Sequence, residues 1–173
     1  MNKPRQYELI TDVVMHNKDN FYRLAYSYVL NPEDALDIVQ DSIHKAIKSD
    51  TLHDETAVKS WFYKIVVHTA LDFLRRRKRV AVASDAELEY RDSGQEDHYR
   101  DMDLEKALDE LPPDYRSVVV LRYFEDLKIE EVAEVLGLNV NTVKTRLYKA
   151  LKLLRIEMEE VEVNIEEAPK YGR

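Results

Sequence analysis

The sequence predicts an all-α protein: two small helical domains joined by a flexible acidic linker, the second containing a helix-turn-helix. Its 173 residues include only 3 glycines and much Leu, Glu, Lys and Ala, which favour helices over strands. Apolar residues recur at helical spacing in both halves. Residues 84–110 hold 11 acidic and 3 basic residues, which predicts a solvated connector. We expect a first domain over 1–80, a linker over 81–102, a second domain over 103–156 and an acidic tail over 157–173.

The composition excludes several classes of protein. Because the chain has no cysteine, it forms no disulfide bond or thiolate metal site, which is usual in a reducing cytosol. Its apolar runs are far shorter than the roughly 20 residues that span a bilayer, and residues 1–8 lack the apolar stretch of a signal peptide. We therefore expect a cytoplasmic protein. The net charge of −8 does not by itself suggest DNA binding, because acidic segments repel phosphate.

The sequence pattern of the first 48 residues predicts three helices. Apolar residues at helical spacing predict one helix over 7–15 and another over 21–30. Asn31 as N-cap, followed by Pro32 and two acids, predicts the start of the third. We expect this third helix to bury four large apolar residues, with Ala35, Ile38 and Ala46 alongside them: Leu36, Val39, Ile43 and Ile47.

The opposite face of this third helix carries Asp37, Asp41 and His44. Carboxylates and a histidine on one face suit a divalent cation or acid–base chemistry, so a metal-dependent enzyme is one hypothesis. A solvated polar face is the interpretation that we prefer. That face could equally dock a protein, because Ile38 and Val39 give it apolar edges.

A long helix from Val58 ends in the basic run 75–79, after a polar loop over 49–57. Trp61, Phe62 and Tyr63 are consecutive, so they cannot all face one core. Basic residues beside exposed rings suit a single-stranded nucleic acid whose bases stack on the rings. The alternative puts Trp61 and Phe62 in the core and leaves Tyr63 half exposed, on the polar side with Lys64, His68, Asp72 and Arg75. We prefer that alternative for the first two rings, and phosphate contact for the basic run.

The sequence of the second domain predicts four helices, of which the last two form a helix-turn-helix. Ala133 is small where these two helices would cross, Gly137 suits a turn with positive φ, and Asn139 can cap the last helix. The expected buried stripe of that helix is Val143, Leu147, Ala150, Leu151 and Leu154. Polar and basic residues occupy its other faces: Asn141, Lys144, Thr145, Tyr148, Lys149 and Lys152. This combination favours a DNA-binding unit over an ordinary helical hairpin.

In these segments the chain resembles bacterial RNA polymerase sigma factors of the extracytoplasmic-function (ECF) type, within the sigma-70 family. Residues 34–41 resemble the family's helix for binding core polymerase, and residues 61–76 resemble the helix that reads and melts the −10 element. Residues 111–116 with 121–124 resemble the opening of the −35-binding domain, and 142–147 resemble its recognition helix. The motifs occur in the family's order.

The resemblance implies a transcription initiation factor that is not an enzyme and needs no cofactor or metal. The implied contacts with the clamp coiled coil of the largest polymerase subunit are Asp37, Ile38, Val39, Gln40 and Asp41. The resemblance also implies that the loop 49–57 and the following helix contact a flipped −10 base and the unpaired strand. The implied contact residues on that helix are Trp61, Lys64, His68, Arg75 and Arg76. The implied contacts with the −35 duplex are Asn141, Thr142, Lys144, Thr145, Arg146 and Lys149.

The implied partners are core RNA polymerase, through its β′ and β subunits, promoter DNA, and an anti-sigma factor anchored in the membrane. The chain itself would not insert into the membrane, and its target genes would form a stress regulon. His68 stands where the family usually has Asn, so the family's −10 base preference cannot be transferred. Leu36 stands where the family usually has an acid, and a buried Leu36 would tighten packing. The competing hypothesis is a stand-alone helix-turn-helix regulator that binds palindromic DNA as a dimer.

Overall fold

The computed structural model describes residues 1–84 and 102–167, with the side chains of 1–83 and 104–155. This part of the chain contains seven α-helices and no strand, so the all-α prediction is confirmed. A 3-10 turn, Glu55–Ala57, precedes α3, and a π-helical turn, Val120–Phe124, follows α5. The helices are α1 (Lys3–Val29), α2 (Pro32–Lys48), α3 (Val58–Ser84), α4 (Met102–Glu110), α5 (Pro113–Val119), α6 (Ile129–Leu136) and α7 (Val140–Glu167).

The two helices predicted over 7–15 and 21–30 lie on either side of a kink within α1. The chain kinks at Asn17, whose backbone leaves the helical region at φ −127° and ψ 19°. The amide Nδ2 of Asn17 donates to the Val13 carbonyl oxygen at 2.8 Å, so the side chain compensates locally for the disturbed helix. Asn31 caps α2 as predicted, since its Oδ1 accepts from the Asp34 amide at 3.0 Å.

Helices α1, α2 and α3 pack against one another around an aromatic centre. The Phe21 ring lies 4.5 Å from Phe62 and 4.9 Å from Tyr63, measured between centroids. Helix α2 contributes a line of small and medium residues at helical spacing, namely Ala35, Ile38, Ser42 and Ala46. These small side chains let α2 approach its neighbours closely.

The predicted burial of Leu36 is wrong, since 55% of this residue is exposed. The prediction centred the buried face of α2 on the largest side chains. The line of Ala35, Ile38 and Ser42 forms the contact instead, and Leu36 lies outside it. Val39, Ile43 and Ile47 are half-buried at the edges of the same contact.

Helices α4 to α7 pack on one another, and their buried apolar residues are continuous with those of α1 to α3 in one core. Four of the five residues predicted for the buried stripe of α7 are buried: Val143, Leu147, Ala150 and Leu154. Leu151 is 39% exposed, so its predicted burial is wrong. At the boundaries of the predicted linker, α3 continues to Ser84 and α4 begins at Met102; residues 85–101 lie outside the described part of the chain. Helix α7 extends through the predicted acidic segment as far as Glu167.

The two predicted domains pack directly on each other, with α1 against α5 and α3 against α6. Arg116, only 5% exposed, spans this contact. Its guanidinium donates to the Ser27 carbonyl oxygen of α1 and to the carbonyl oxygens of Leu108 and Leu111 in its own domain, the latter two at 3.0 and 2.8 Å. Burial lowers the pKa of Arg116.

Candidate nucleic-acid and polymerase interfaces

One exposed basic surface follows α3, and we call it the α3 stripe: Trp61, Lys64, His68, Arg75 and Arg76. Lys64, His68, Arg75 and Arg76 are exposed, and Trp61 is half-buried. Their spacing of three, four and seven residues places the stripe along one side of the helix, with Arg76 at its edge. The Arg75 guanidinium also donates to Asp72 Oδ1 at 3.0 Å. The stripe therefore offers cations and one indole ring to a ligand.

Tyr63 does not belong to this surface, which corrects the prediction that it is half exposed on the polar side. The residue is fully buried, and its hydroxyl donates to Glu125 Oε2 at 2.8 Å. Helix α3 buries two adjacent lines of residues because it packs on α1 and α2 on one side and on α6 on another. The preferred core position of Phe62 is confirmed, and Trp61, expected in the core as well, is half-buried and is the one ring of the three with an accessible part.

The loop 49–57 lies at the N-terminal end of the α3 stripe. The indole Nε1 of Trp61 donates to Thr51 Oγ1 at 2.9 Å, so the loop and the ring have a fixed relation. Leu52 is buried and anchors the middle of the loop in the core. His53, Asp54 and Thr56 remain exposed, and Asp54 accepts from the Thr56 amide at 2.9 Å.

The predicted polymerase-binding segment of α2 presents a smaller surface than its five residues suggest. Asp37 and Gln40 are exposed, Val39 is half-buried and Ile38 is in the core. Asp41 is half-buried, and its Oδ2 lies 3.3 Å from Lys45 Nζ. Within residues 1–84 and 102–167, no three His, Asp or Glu side chains gather as a metal site would require, and that holds for the Asp37, Asp41 and His44 set.

The second exposed surface is the start of α7, the last helix of the helix-turn-helix. Gly137 adopts φ 65° and ends α6, as its position predicts. Asn139 Oδ1 accepts from the Thr142 amide at 2.8 Å, so the predicted cap is present. Four of the six candidate residues are exposed and two, Thr142 and Arg146, are half-buried. The exposed ones are Asn141, Lys144, Thr145 and Lys149.

An open depression of about 620 Å³ lies beside these residues, between α7 and the start of α5. Tyr115, Asn141, Thr145 and Lys149 line it together with Arg146. Amide, hydroxyl and cationic groups, which bind phosphates and the edges of bases, converge there beside one carboxylate, that of Asp114. The surface at the start of α7 therefore combines a shape and a chemistry that suit duplex DNA.

Sequence reasoning missed the residues that connect the two domains. Glu125 has a fully buried side chain, although it follows a turn and reads as a surface acid. Besides the Tyr63 hydroxyl, Arg23 Nη1 lies 3.4 Å from Glu125 Oε1. Burial raises the pKa of Glu125, and burial together with the neighbouring Glu125 carboxylate raises the pKa of Tyr63. No local signal in the sequence indicates these contacts, because Tyr63 and Arg23 lie 62 and 102 residues from Glu125 along the chain.

Two family models match the chain in the order of these surfaces. The model described as Sigma-70 region 2 matches residues 13–80, and the model described as Sigma-70, region 4 matches residues 101–154. The chain therefore belongs to the sigma-70 family of RNA polymerase sigma factors, and it is of the ECF type. Proteins of this family are non-catalytic initiation factors, and this chain is a sigma factor that directs RNA polymerase to promoters.

Individual relatives agree with that assignment. The chain is 57% identical over 151 residues to RNA polymerase sigma factor SigV of Bacillus subtilis, covering 87% of this chain and 90% of that protein. It is 32% identical to ECF RNA polymerase sigma factor SigE of Mycolicibacterium smegmatis, covering 83% of this chain and 59% of that protein. Among solved structures, the sigma factor RpoE in complex with the anti-sigma factor NepR, from Bartonella quintana, has the same fold, with a TM-score of 0.77. That match is 24% identical and covers 86% of this chain and 96% of RpoE.

No helix in the described ranges is both long and apolar enough to cross a bilayer.

Proposed function

We propose that this sigma factor uses three separate surfaces. The exposed Asp37 and Gln40 of α2, with the half-buried Asp41, dock on the clamp coiled coil of the polymerase β′ subunit. The α3 stripe holds the melted −10 strand, and the start of α7 holds the −35 duplex. The observation that carries the proposal is the presence of two separate exposed cationic surfaces on a chain whose net charge is −8.

The division of labour follows from the chemistry of each surface. Cations beside a ring suit a single strand, whose bases can stack while its phosphates are neutralised. A capped helix with exposed Asn, Thr and Lys at its start suits the major groove of a duplex. The chain supplies recognition, and the polymerase supplies the catalysis; this chain therefore acts without a cofactor of its own.

The same proposal requires the two domains to separate. Elements at −35 and −10 lie about 25 base pairs apart, or about 85 Å along B-form DNA at 3.4 Å per base pair. A folded chain of 173 residues has a radius of gyration of about 16 Å. The arrangement in which Arg116 and Glu125 join the domains therefore cannot hold both elements, so it represents a state that precedes promoter binding.

An anti-sigma factor is the partner that we propose for this closed state. Support comes from the similarly folded RpoE, which was solved with an anti-sigma factor. We place the chain in the cytoplasm and its partner at the membrane, where a signal from outside could release the sigma factor for a stress regulon. Co-purification from cells, followed by membrane fractionation, tests this partner and its location.

Run-off transcription with core RNA polymerase on a promoter library tests the main proposal. We expect initiation that depends on the chain, and loss of core binding in Asp37→Lys with unchanged folding. Asp12→Lys, a matched reversal of an exposed acid on α1, should bind core normally. If the wild type supports no initiation, or if Asp37→Lys retains core binding, the corresponding assignment is wrong.

The −35 surface has its own test. Lys144→Ala should weaken duplex binding by the holoenzyme and reduce the slope of log affinity against log salt by about one, because one phosphate contact is lost. Lys106→Ala removes an exposed lysine of α4 and serves as the control. Equal salt slopes for the two variants would contradict the assignment. Tight, specific binding of a palindrome by the free wild type would instead favour the stand-alone regulator.

A further inference from the structure

The first turn of α1 contacts both ends of the loop 49–57. Gln6 is only 3% exposed although it is an amide. Its Nε2 donates to the carbonyl oxygens of Ala46, at 2.9 Å, and Ser49, at 2.7 Å. The Ala46 carbonyl also accepts from the Ser49 amide at 3.3 Å, so Gln6 adds a second donor at the end of α2, where carbonyls lack a full set of intrahelical donors. The start of the loop is thereby fixed to α1.

Two charged contacts extend this attachment along the loop. Lys3 Nζ lies 2.6 Å from Asp50 Oδ1 and donates to the Ser49 carbonyl oxygen at 3.2 Å. The Arg5 guanidinium donates two hydrogen bonds to the Glu55 carboxylate: Nε lies 3.1 Å from Oε1, and Nη2 lies 2.8 Å from Oε2. The hydrogen bond from Arg5 lowers the pKa of Glu55. A bidentate pair of this kind fixes the orientation of the two side chains as well as the distance between them.

The held loop is continuous with the α3 stripe. Thr51 Oγ1 accepts from the Trp61 indole and lies 2.7 Å from Ser49 Oγ. The chain of contacts thus runs from Gln6 through Ser49 and Thr51 to the ring that begins the stripe. A strand that follows the stripe toward the N-terminus of α3 meets this loop.

We call Lys3, Arg5 and Gln6, with their contacts to the loop 49–57, the brace. These three residues lie outside the segment that matches the Sigma-70 region 2 model, which begins at residue 13. Asn2 holds them in a helix, because its Oδ1 accepts from the Arg5 amide at 2.9 Å. These contacts therefore join a segment outside the matched region to the loop inside it.

We propose that Lys3, Arg5 and Gln6 are positioning residues for −10 recognition: they fix the loop 49–57 relative to Trp61 and so sharpen its choice of base. This inference rests on the proposed function of the α3 stripe. The three residues act through the loop and do not themselves touch DNA. Their loss leaves core binding and −35 recognition intact and weakens base discrimination at the −10 element.

A charge swap tests the brace with the reconstituted holoenzyme. Arg5→Glu, Glu55→Arg and the double variant are assayed on templates randomised in the −10 element with a fixed −35 element, and the transcripts are sequenced. Each single variant should lose discrimination at the −10 element by about two- to five-fold, since an exposed ion pair is worth about fivefold at most. The double variant should recover most of that discrimination, because it restores an opposite-charge pair. Lys18→Glu, an equal change of charge farther along α1, should match the wild type.

The outcomes separate this inference from the proposed function. If wild-type holoenzyme shows no −10 preference, the assignment of the stripe fails first. If it shows a preference that Arg5→Glu leaves unchanged, only the brace is wrong. Lower initiation from all templates without a change in preference means a structural role and also overturns it, as does a double variant that recovers nothing. Should Arg5→Glu lower the melting temperature, Arg5→Gln repeats the test without adding repulsion from Glu8.

Discussion

Replacing Tyr63 by phenylalanine should open the closed form by weakening one buried hydrogen bond between the domains. The hydroxyl donates to Glu125 Oε2 at 2.8 Å, and both side chains are buried. Tyr63→Phe removes only this hydroxyl and leaves the ring in its 4.9 Å contact with Phe21. The change leaves the packing of the ring on α1 in place, and it also removes the hydrogen bond between the hydroxyl and the Asn20 side chain of α1.

The expected effect follows from the groups that remain. A hydrogen bond to a charged group contributes about 1.5–3 kcal/mol. Arg23 Nη1 still lies 3.4 Å from the Glu125 carboxylate, so the carboxylate keeps one partner. We therefore expect a loss of about 2 kcal/mol, which raises the ratio of open to closed chains about 30-fold.

Energy transfer between dyes on the two domains measures this ratio. The natural sequence has no cysteine, so cysteines introduced at the exposed Lys18 and Glu134 are the only labelling sites. Tyr63→Phe, Glu125→Gln and the double variant complete a cycle, and Tyr7→Phe controls for loss of an exposed hydroxyl. We expect a coupling of about 1–2 kcal/mol between the two changes. Additivity within about 0.5 kcal/mol, or unchanged transfer in Tyr63→Phe, would refute the coupling.

Three further predictions concern stability and pH. Gly137→Ala should lower the free energy of unfolding, measured in urea, by about 1–2 kcal/mol. Because φ is 65° and a Cβ there meets nothing within 4 Å, the loss comes from backbone strain alone, and an unchanged free energy of unfolding would refute it. Leu36→Ala should cost under about 1 kcal/mol, whereas Leu24→Ala in the core should cost about 2–5 kcal/mol; equal losses would mean that Leu36 is buried. Because burial raises the pKa of Glu125, which faces Tyr63, Arg23 and Lys59, the closed form binds its proton more tightly than the open form. Closure should therefore strengthen as pH falls from neutral through that raised pKa and weaken as pH rises, and Glu125→Gln should abolish this dependence in the energy-transfer assay.

Local signals account for the parts of the fold that the sequence predicts well. The cap at Asn31, the cap at Asn139 and the left-handed turn at Gly137 each depend on atoms within a few residues. Such interactions form whatever the distant chain does, so sequence alone identifies them. The start of α3 at Val58 and the helix-turn-helix follow from the same kind of evidence.

The errors concern side chains whose burial depends on a distant partner. Tyr63 is buried because its ring packs on Phe21 of α1 and its hydroxyl bonds to Glu125, and no pattern within α3 indicates these partners. Leu36 is exposed because α2 packs through Ala35 and Ser42, so size misled the prediction. Periodicity gives the direction of an apolar stripe, whereas its width depends on how many elements pack against it. The residues of the α3 stripe and of α7 are placed at the surface, and their roles on DNA stay predictions.

The chemistry of the contact between domains limits how tightly it can hold. Three of the hydrogen bonds from Arg116 go to carbonyls of its own domain, at Leu108, Asp109 and Leu111, and one goes to Ser27 across the contact. Separation therefore breaks a single bond of this guanidinium, which water can replace. Separation also returns the Glu125 carboxylate to water and removes the desolvation that raises its pKa. Opening thus recovers hydration energy for these polar groups, which offsets part of the cost of exposing the apolar residues that the two halves bury together.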